Sequence, residues 1–212
     1  MITKKAIGTV GRMWADTVDA QFTDSLALMM QYSQMVLCEP GEFIYYNHAT
    51  VSWHESGRQQ LLEQAMGDWL FMTDTDHAFS PDMLVRLLRF KDKYKCRVIS
   101  AMYFSKNEPH VPVVNQWLKP DDPKDHSFKN MLEFPADEVI DCGPCGAGAL
   151  LVDLDVFKDI QVKLGQAPFG TIPGISEDYS FYTRCKVLGI KTYLCPLVES
   201  HHLTQRGRLS LR

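Results

Sequence analysis

Asp74-Thr75-Asp76, followed at once by His77, closes the short apolar run Trp69 to Met72. That run has the length and aromatic content of a buried strand. Residues two apart in an extended segment point the same way, so both carboxylates can project together. Open α/β sheets place their ligands at the C-terminal ends of such strands. The pattern therefore suits a divalent-metal site holding a phosphorylated substrate. Asp and Thr are also ordinary turn and cap residues, and Asp-x-Asp taken alone favours a polar strand-to-helix turn.

Three further groups could carry chemistry. In Ser176-Glu177-Asp178, one carboxylate at a cleft edge could act as a general base toward an attacking hydroxyl. Acids in the first turn of a helix are also favoured by the helix dipole and need no other purpose. His201 and His202 follow a strand and point to opposite faces, so at most one meets a cleft. A neutral imidazole completing a carboxylate-rich site suits Mn²⁺ better than Ca²⁺. Cys142-Gly143-Pro144-Cys145 matches the thioredoxin active-site tetrapeptide, which needs its first thiol at a helix N-terminus. Here Gly146-Ala147-Gly148 and an apolar run follow, making a turn into a strand, and Asp141 stands where tryptophan is usual. Zinc held by this pair with His201 and His202 is an incomplete ligand signature.

The elements that must position these residues alternate. Lys5 to Val10 reads as a strand, Asp16 to Gln34 as a helix, and Phe43 to Tyr46 as a second strand. A helix from Ser56 to Met66 leads into the Asp-x-Asp strand. Ser80-Pro81-Asp82 is a helix start, with an N-cap serine and proline at the first helical position, and the helix reaches about Tyr94. Arg97 to Tyr103 is a further strand. This alternation predicts an α/β fold with a largely parallel sheet. Ser105 to Asp137 breaks the rhythm and predicts a long loop, carrying a short strand near Val111–Trp117, that helps cover a cleft. Val139-Ile140-Asp141, the turn Gly143–Gly148 and the strand Ala149–Val152 follow. Asp155 caps a short helix through Ile160, and Ser176 caps another running to about Leu188. Lys191–Leu194 and Val198–Ser200 are late strands, with His201 and His202 just beyond.

With 212 residues the chain reads as one domain over 1–212, with 105–137 as an insertion and 203–212 as a tail. Its 45% hydrophobic and 23% charged residues are those of a globular protein. A net charge of −4 leaves no electrostatic footprint for nucleic acid or an anionic membrane, and only Arg206 to Arg212 is locally basic. No stretch approaches the ~18 apolar residues of a membrane span, and no signal-peptide run is seen. The cytoplasm is the expected compartment. The six cysteines form no dense disulfide framework.

Arg58, then Gly67 to Asp76, then Phe79-Ser80-Pro81-Asp82-Met83-Leu84 occur in a specific order. Gly143–Gly148 into Ala149-Leu150-Leu151-Val152, Glu177-Asp178 before Phe181 and Arg184, and Gly189 through Ser200-His201-His202-Leu203 complete it. Together, from Lys5 to Leu203, they resemble the nucleotide-sugar-dependent glycosyltransferases of the GT-A fold, particularly bacterial and phage proteins related to the large inverting family. The resemblance implies a Rossmann-like fold with a mostly parallel sheet flanked by helices. It implies an inverting transfer from a nucleoside-diphosphate sugar to a hydroxyl of a glycan, protein or modified base. Asp74 and Asp76 would hold Mn²⁺ (or Mg²⁺) against the diphosphate, Asp76 directly and Asp74 through the ribose or a metal-bound water. His202 would be the late histidine ligand, preferred to His201 because Leu203 follows it. Asp178 would be the acceptor-activating base with Glu177 beside it. Gly146 to Gly148 would let backbone approach donor or acceptor, Arg58 would contact the donor, and Thr9 to Trp14 would cradle the base. His77 reads as a neighbour of the site. The region from Ser105 to Asp137 matches nothing in the family. Two other readings are a thiol–disulfide oxidoreductase on Cys142 and Cys145, and a non-catalytic nucleotide-sugar-binding module.

Overall fold

The computed structural model describes residues 4–204 and 207–208. In chain order the elements are β1 (Lys5–Arg12), α1 (Ala20–Leu37), β2 (Glu42–His48), α2 (His54–Glu63), β3 (Trp69–Thr73), β4 (His77–Phe79), α3 (Met83–Tyr94) and β5 (Val98–Met102). They continue with β6 (Asn115–Trp117), β7 (Phe128–Asn130), β8 (Ile140–Cys142), β9 (Ala149–Asp153), α4 (Leu154–Leu164), α5 (Glu177–Val187), β10 (Thr192–Thr204) and β11 (Gly207–Arg208). Much of the basic stretch Arg206 to Arg212, and of the expected tail, lies outside the described residues. Leu203 and Thr204 belong to β10 and pair with β11.

The central sheet runs β2-β1-β3-β9-β5-β10. β1, β2 and β3 are parallel to one another, as are β5 and β10, and only β9 in this path opposes its neighbours. Strand alternation explains why helices cover both faces. Leu70, Met72, Leu150 and Val152 face one apolar cluster, which takes in Leu61 of α2, Phe157 of α4 and Phe181 of α5. Trp69, Phe71, Ala149 and Leu151 face the other, with Phe22 and Met29 of α1 and Met83, Leu84, Leu87 and Leu88 of α3.

The structure departs from the local readings in two places and adds to them in a third. His77 to Phe79 is a strand, β4, so the expected helix start slides: Asp82 holds the N-cap position and Ser80 instead donates to the Asp82 carboxylate at 2.6 Å. The two late strands are one, β10, with a register shift between Cys195 and Glu199, around Pro196. Beyond that shift β10 pairs antiparallel with β4 and carries His201 and His202 inside the strand. Residues 105–137 do contain a strand at Asn115–Trp117, but it pairs with a second one, β7, to make a separate ribbon. That ribbon packs on α5, with the Phe128 and Tyr179 rings 5.0 Å apart.

Candidate functional site

β1 and β3 end side by side, Met13 N–H donating to the Thr73 carbonyl at 3.0 Å, so the loop through Trp14 borders the Asp-x-Asp turn. Pairing of β4 with β10 sets His202 directly opposite His77, and side chains opposite one another in an antiparallel pair share a face. Their rings lie 4.2 Å apart between centroids. Each Nε2 approaches the same oxygen, Oδ1 of Asp76, at 3.9 Å from His77 and 3.8 Å from His202. These three residues bring ligand atoms within 4.8 Å of one another, the one such group among the described residues. The other oxygen of Asp76 accepts from Lys106 Nζ at 3.0 Å. His201 turns away, 3.7 Å from Glu199.

The hydrogen-bonding of both imidazoles is asymmetric. Nδ1 of His202 meets the Phe104 carbonyl, and Nδ1 of His77 meets the Ser200 hydroxyl at 2.7 Å. Nε2 of fully buried His77 has no hydrogen-bond partner. Burial pushes the His77 imidazole down to about 4, with His202 acting the same way and Asp74 and Asp76 opposing, so it is neutral at pH 7. The glycine turn is cut to fit these rings. A Cβ on Gly148 would stand 2.6 Å from His77 Nε2, and one on Gly146 would stand 1.7 Å from Tyr103 Oη.

Asp74 faces a different partner. Arg58, 2% exposed, donates to Asp74 at 3.2 Å, to Glu177 at 3.2 Å and to the Ala147 carbonyl at 3.2 Å. Burial alone would lower the pKa of this guanidinium, but Asp74, Asp178 and Glu177 outweigh it and hold it above its ordinary value. Three of its five N–H donors go to these protein groups, so Arg58 ties the Asp-x-Asp turn, the glycine turn and the start of α5 together. Glu177 is likewise committed to Arg58, with His54 3.7 Å away.

Asp178 is the freer acid. Its carboxylate accepts from the Ser176 hydroxyl and from Tyr179 N–H. Ser176 thus sits at the expected N-cap but spends its hydroxyl on Asp178 rather than on the helix backbone. Burial pushes the Asp178 carboxyl up, against the pull of Ser176 and Arg58. Thr9 is fully buried in mid-strand, and its hydroxyl exchanges hydrogen bonds with Met66 N–H and C=O, so the structure does not bring it into this cluster.

A cavity of about 440 Å³, lined by Thr17, Val18, Asp19, Thr75, Asp76, Lys106 and Leu203, opens beside the Asp/His cluster. The sequence set His77 only as a neighbour of the site and did not single out Lys106, Tyr103 or Ser200. Adjacency to Asp76 was a signal for His77, whereas nothing local marks the other three. The Cys142 and Cys145 sulfurs are 3.4 Å apart and buried. The neighbouring Cys145 thiol and burial hold Cys142 well above the ordinary thiol range, the opposite of an activated nucleophile.

The family model described as glycosyl transferase family 2 matches residues 19–149. No curated protein matches the chain. Among solved structures, A197 from STIV aligns with a TM-score of 0.62 at 15% identity, covering 97% of this chain and 90% of that one. GalNAc-T7, in a structure described as containing UDP, GalNAc and Mn²⁺, aligns with a TM-score of 0.60 at 9% identity. That match covers 95% of this chain and 44% of the GalNAc-T7 chain.

Proposed function

The chain belongs to glycosyl transferase family 2, and from that premise we propose that it moves a sugar from a nucleoside-diphosphate sugar to an acceptor hydroxyl, with inversion and with a divalent ion bound. It is a glycosyltransferase by family, and its fold is the GT-A fold. The observation that carries the finer reading is the buried guanidinium of Arg58. It joins the first Asp of Asp-x-Asp, the glycine turn and the acidic start of α5 in a single contact set.

In this reading Asp178 takes the proton from the acceptor hydroxyl as that oxygen bonds to the anomeric carbon. The bond from the anomeric carbon to the diphosphate oxygen breaks on the opposite side. Glu177, neutralised by Arg58, shapes the acceptor side without competing as base. Asp74, fixed by Arg58, directs its carboxylate toward the donor ribose or an ion-bound water. The donor lies along the cavity at Asp76, where Lys106 supplies positive charge to its phosphates. The residues fit a divalent ion: Asp76 and His202 offer an oxygen and a nitrogen in one cluster, next to the orphaned Nε2 of His77. They would hold Mn²⁺ (or Mg²⁺), which when bound offsets the charge building on the leaving diphosphate. The ribbon of β6 and β7, joined to α5 through Tyr179, borders the acceptor side.

The test is incubation with Mn²⁺ and a panel of nucleotide sugars, following slow donor hydrolysis and thermal stabilisation. One donor is expected to give both. No response to any donor, with or without ion, would overturn the reading. Stabilisation without turnover across many acceptors would instead favour a binding module.

A further inference from the structure

We propose that His77, rather than Asp74, is the third protein ligand of this ion, and that the site therefore selects an imidazole-binding transition ion over Mg²⁺. The proposal rests on the metal-dependent reading above and deepens it.

The first observation is the orphaned atom. Nε2 of His77 is a polar atom sealed from solvent with no hydrogen-bond partner, and such atoms carry a free-energy cost unless something pairs with them. The second is convergence: His77 Nε2 and His202 Nε2 stand 3.9 and 3.8 Å from one oxygen of Asp76. Ligand atoms held at about 2.1 Å from a shared ion lie roughly 3–4 Å from one another. The third is the outer partners. Metal-bound histidines engage their other ring nitrogen with a carbonyl, carboxylate or water, which fixes the tautomer. His202 does so through the Phe104 carbonyl, and the Ser200 hydroxyl stands in that place for His77. With both Nδ1 atoms carrying hydrogen, both lone pairs converge on the Asp76 oxygen. Gly148 leaves the room this needs, since a methyl group there would stand 2.6 Å from His77 Nε2.

Asp74 is a poorer candidate on the same terms. One of its oxygens accepts from the guanidinium of Arg58, and Asp74 is not in the group whose ligand atoms gather within 4.8 Å of one another. Lys106 occupies the opposite oxygen of Asp76, leaving the shared Oδ1 to the two imidazoles. Two nitrogens and one oxygen suit Mn²⁺, Co²⁺ or Zn²⁺, whereas Mg²⁺ prefers an all-oxygen octahedron.

The experiment is Mn²⁺ titration of the purified protein, with and without uridine diphosphate, by calorimetry and by pulsed EPR that counts coupled imidazole nitrogens. Wild type is expected to show two nitrogens and to bind Mn²⁺ well above Mg²⁺. His77→Gln should show one nitrogen and weaken binding by about a hundredfold or more, since losing even an outer-shell partner costs about 10–100-fold. Ser200→Ala, the milder variant if His77→Gln misfolds, should weaken it about tenfold. Asp74→Asn should keep both coupled nitrogens and lose less affinity than His77→Gln, as a residue acting through an ion-bound water would. A single nitrogen in wild type, or full-strength binding by His77→Gln while His202→Ala and Asp76→Asn lose it, overturns this inference and leaves the glycosyl-transfer reading intact. So does equal affinity for Mg²⁺, or donor turnover that persists in chelator with no ion bound. Loss of donor turnover under every condition is the separate failure of the underlying reading.

Discussion

Two adjacent acids at the start of α5 differ in their surroundings. Glu177 faces a buried guanidinium 3.2 Å away, whereas Asp178 is held by a hydroxyl and a backbone N–H. Its pKa is raised by burial. A carboxyl raised in the folded state favours folding when protonated and costs stability once pH climbs above its unfolded value. Asp178→Asn is therefore expected to be at least as stable as wild type at pH 7, by thermal melting. It should keep donor binding but lower transfer by about 10²–10⁴-fold, the usual worth of a general base. Lost donor binding in that variant would move Asp178 out of the base role. Arg58 shows the converse. Its guanidinium binds Asp74, Glu177 and the Ala147 carbonyl at once, so one buried charge serves three elements.

At the scale of elements, the glycine turn and β4 do what their short lengths conceal. Within Gly143–Gly148, the glycines at 146 and 148 leave room for the Tyr103 hydroxyl and the His77 ring. Tyr103 Oη in turn accepts from Gly148 N–H at 3.3 Å. Gly146→Ala, whose methyl would overlap Tyr103 Oη, should lose about 1–3 kcal/mol of stability in denaturant titration, as overpacked cores do. Adding Tyr103→Phe removes the overlapping oxygen and should recover part of the loss. Equal destabilisation with and without Tyr103→Phe would place the strain elsewhere. β4 was unreadable because three residues give no periodicity. It became a strand only because the second half of β10 offered it an edge.

At the scale of the molecule, the sheet gathers groups distant in sequence onto one edge: His77 and His202, Arg58 and Glu177, Tyr103 and Gly148. None of the described helices is long and apolar enough to cross a membrane. An ion bound only by the folded state adds stability by mass action. Mn²⁺ at about a hundred times its Kd should add about 2.7 kcal/mol, or roughly 5–10 °C in Tm for a chain of this size. Chelator should reverse that rise. A Tm indifferent to both would argue that no ion site is built into the fold.

The residues alone determined the α/β class and most of the strands and helices, because apolar periodicity and local cap chemistry are written into short stretches; the pairing of Asp76 with His202 came as an expectation only through the family resemblance. They also marked Ser176 as the start of α5 and Glu177-Asp178 as its acidic first turn. Only the tertiary structure decided that Arg58 pairs with acids inside the protein, that Thr9 faces Met66, that β9 runs against its neighbours and that His77 joins Asp76 and His202. Each of those depends on which distant strand or turn lies alongside, and register between elements far apart in sequence leaves no mark in either one read by itself.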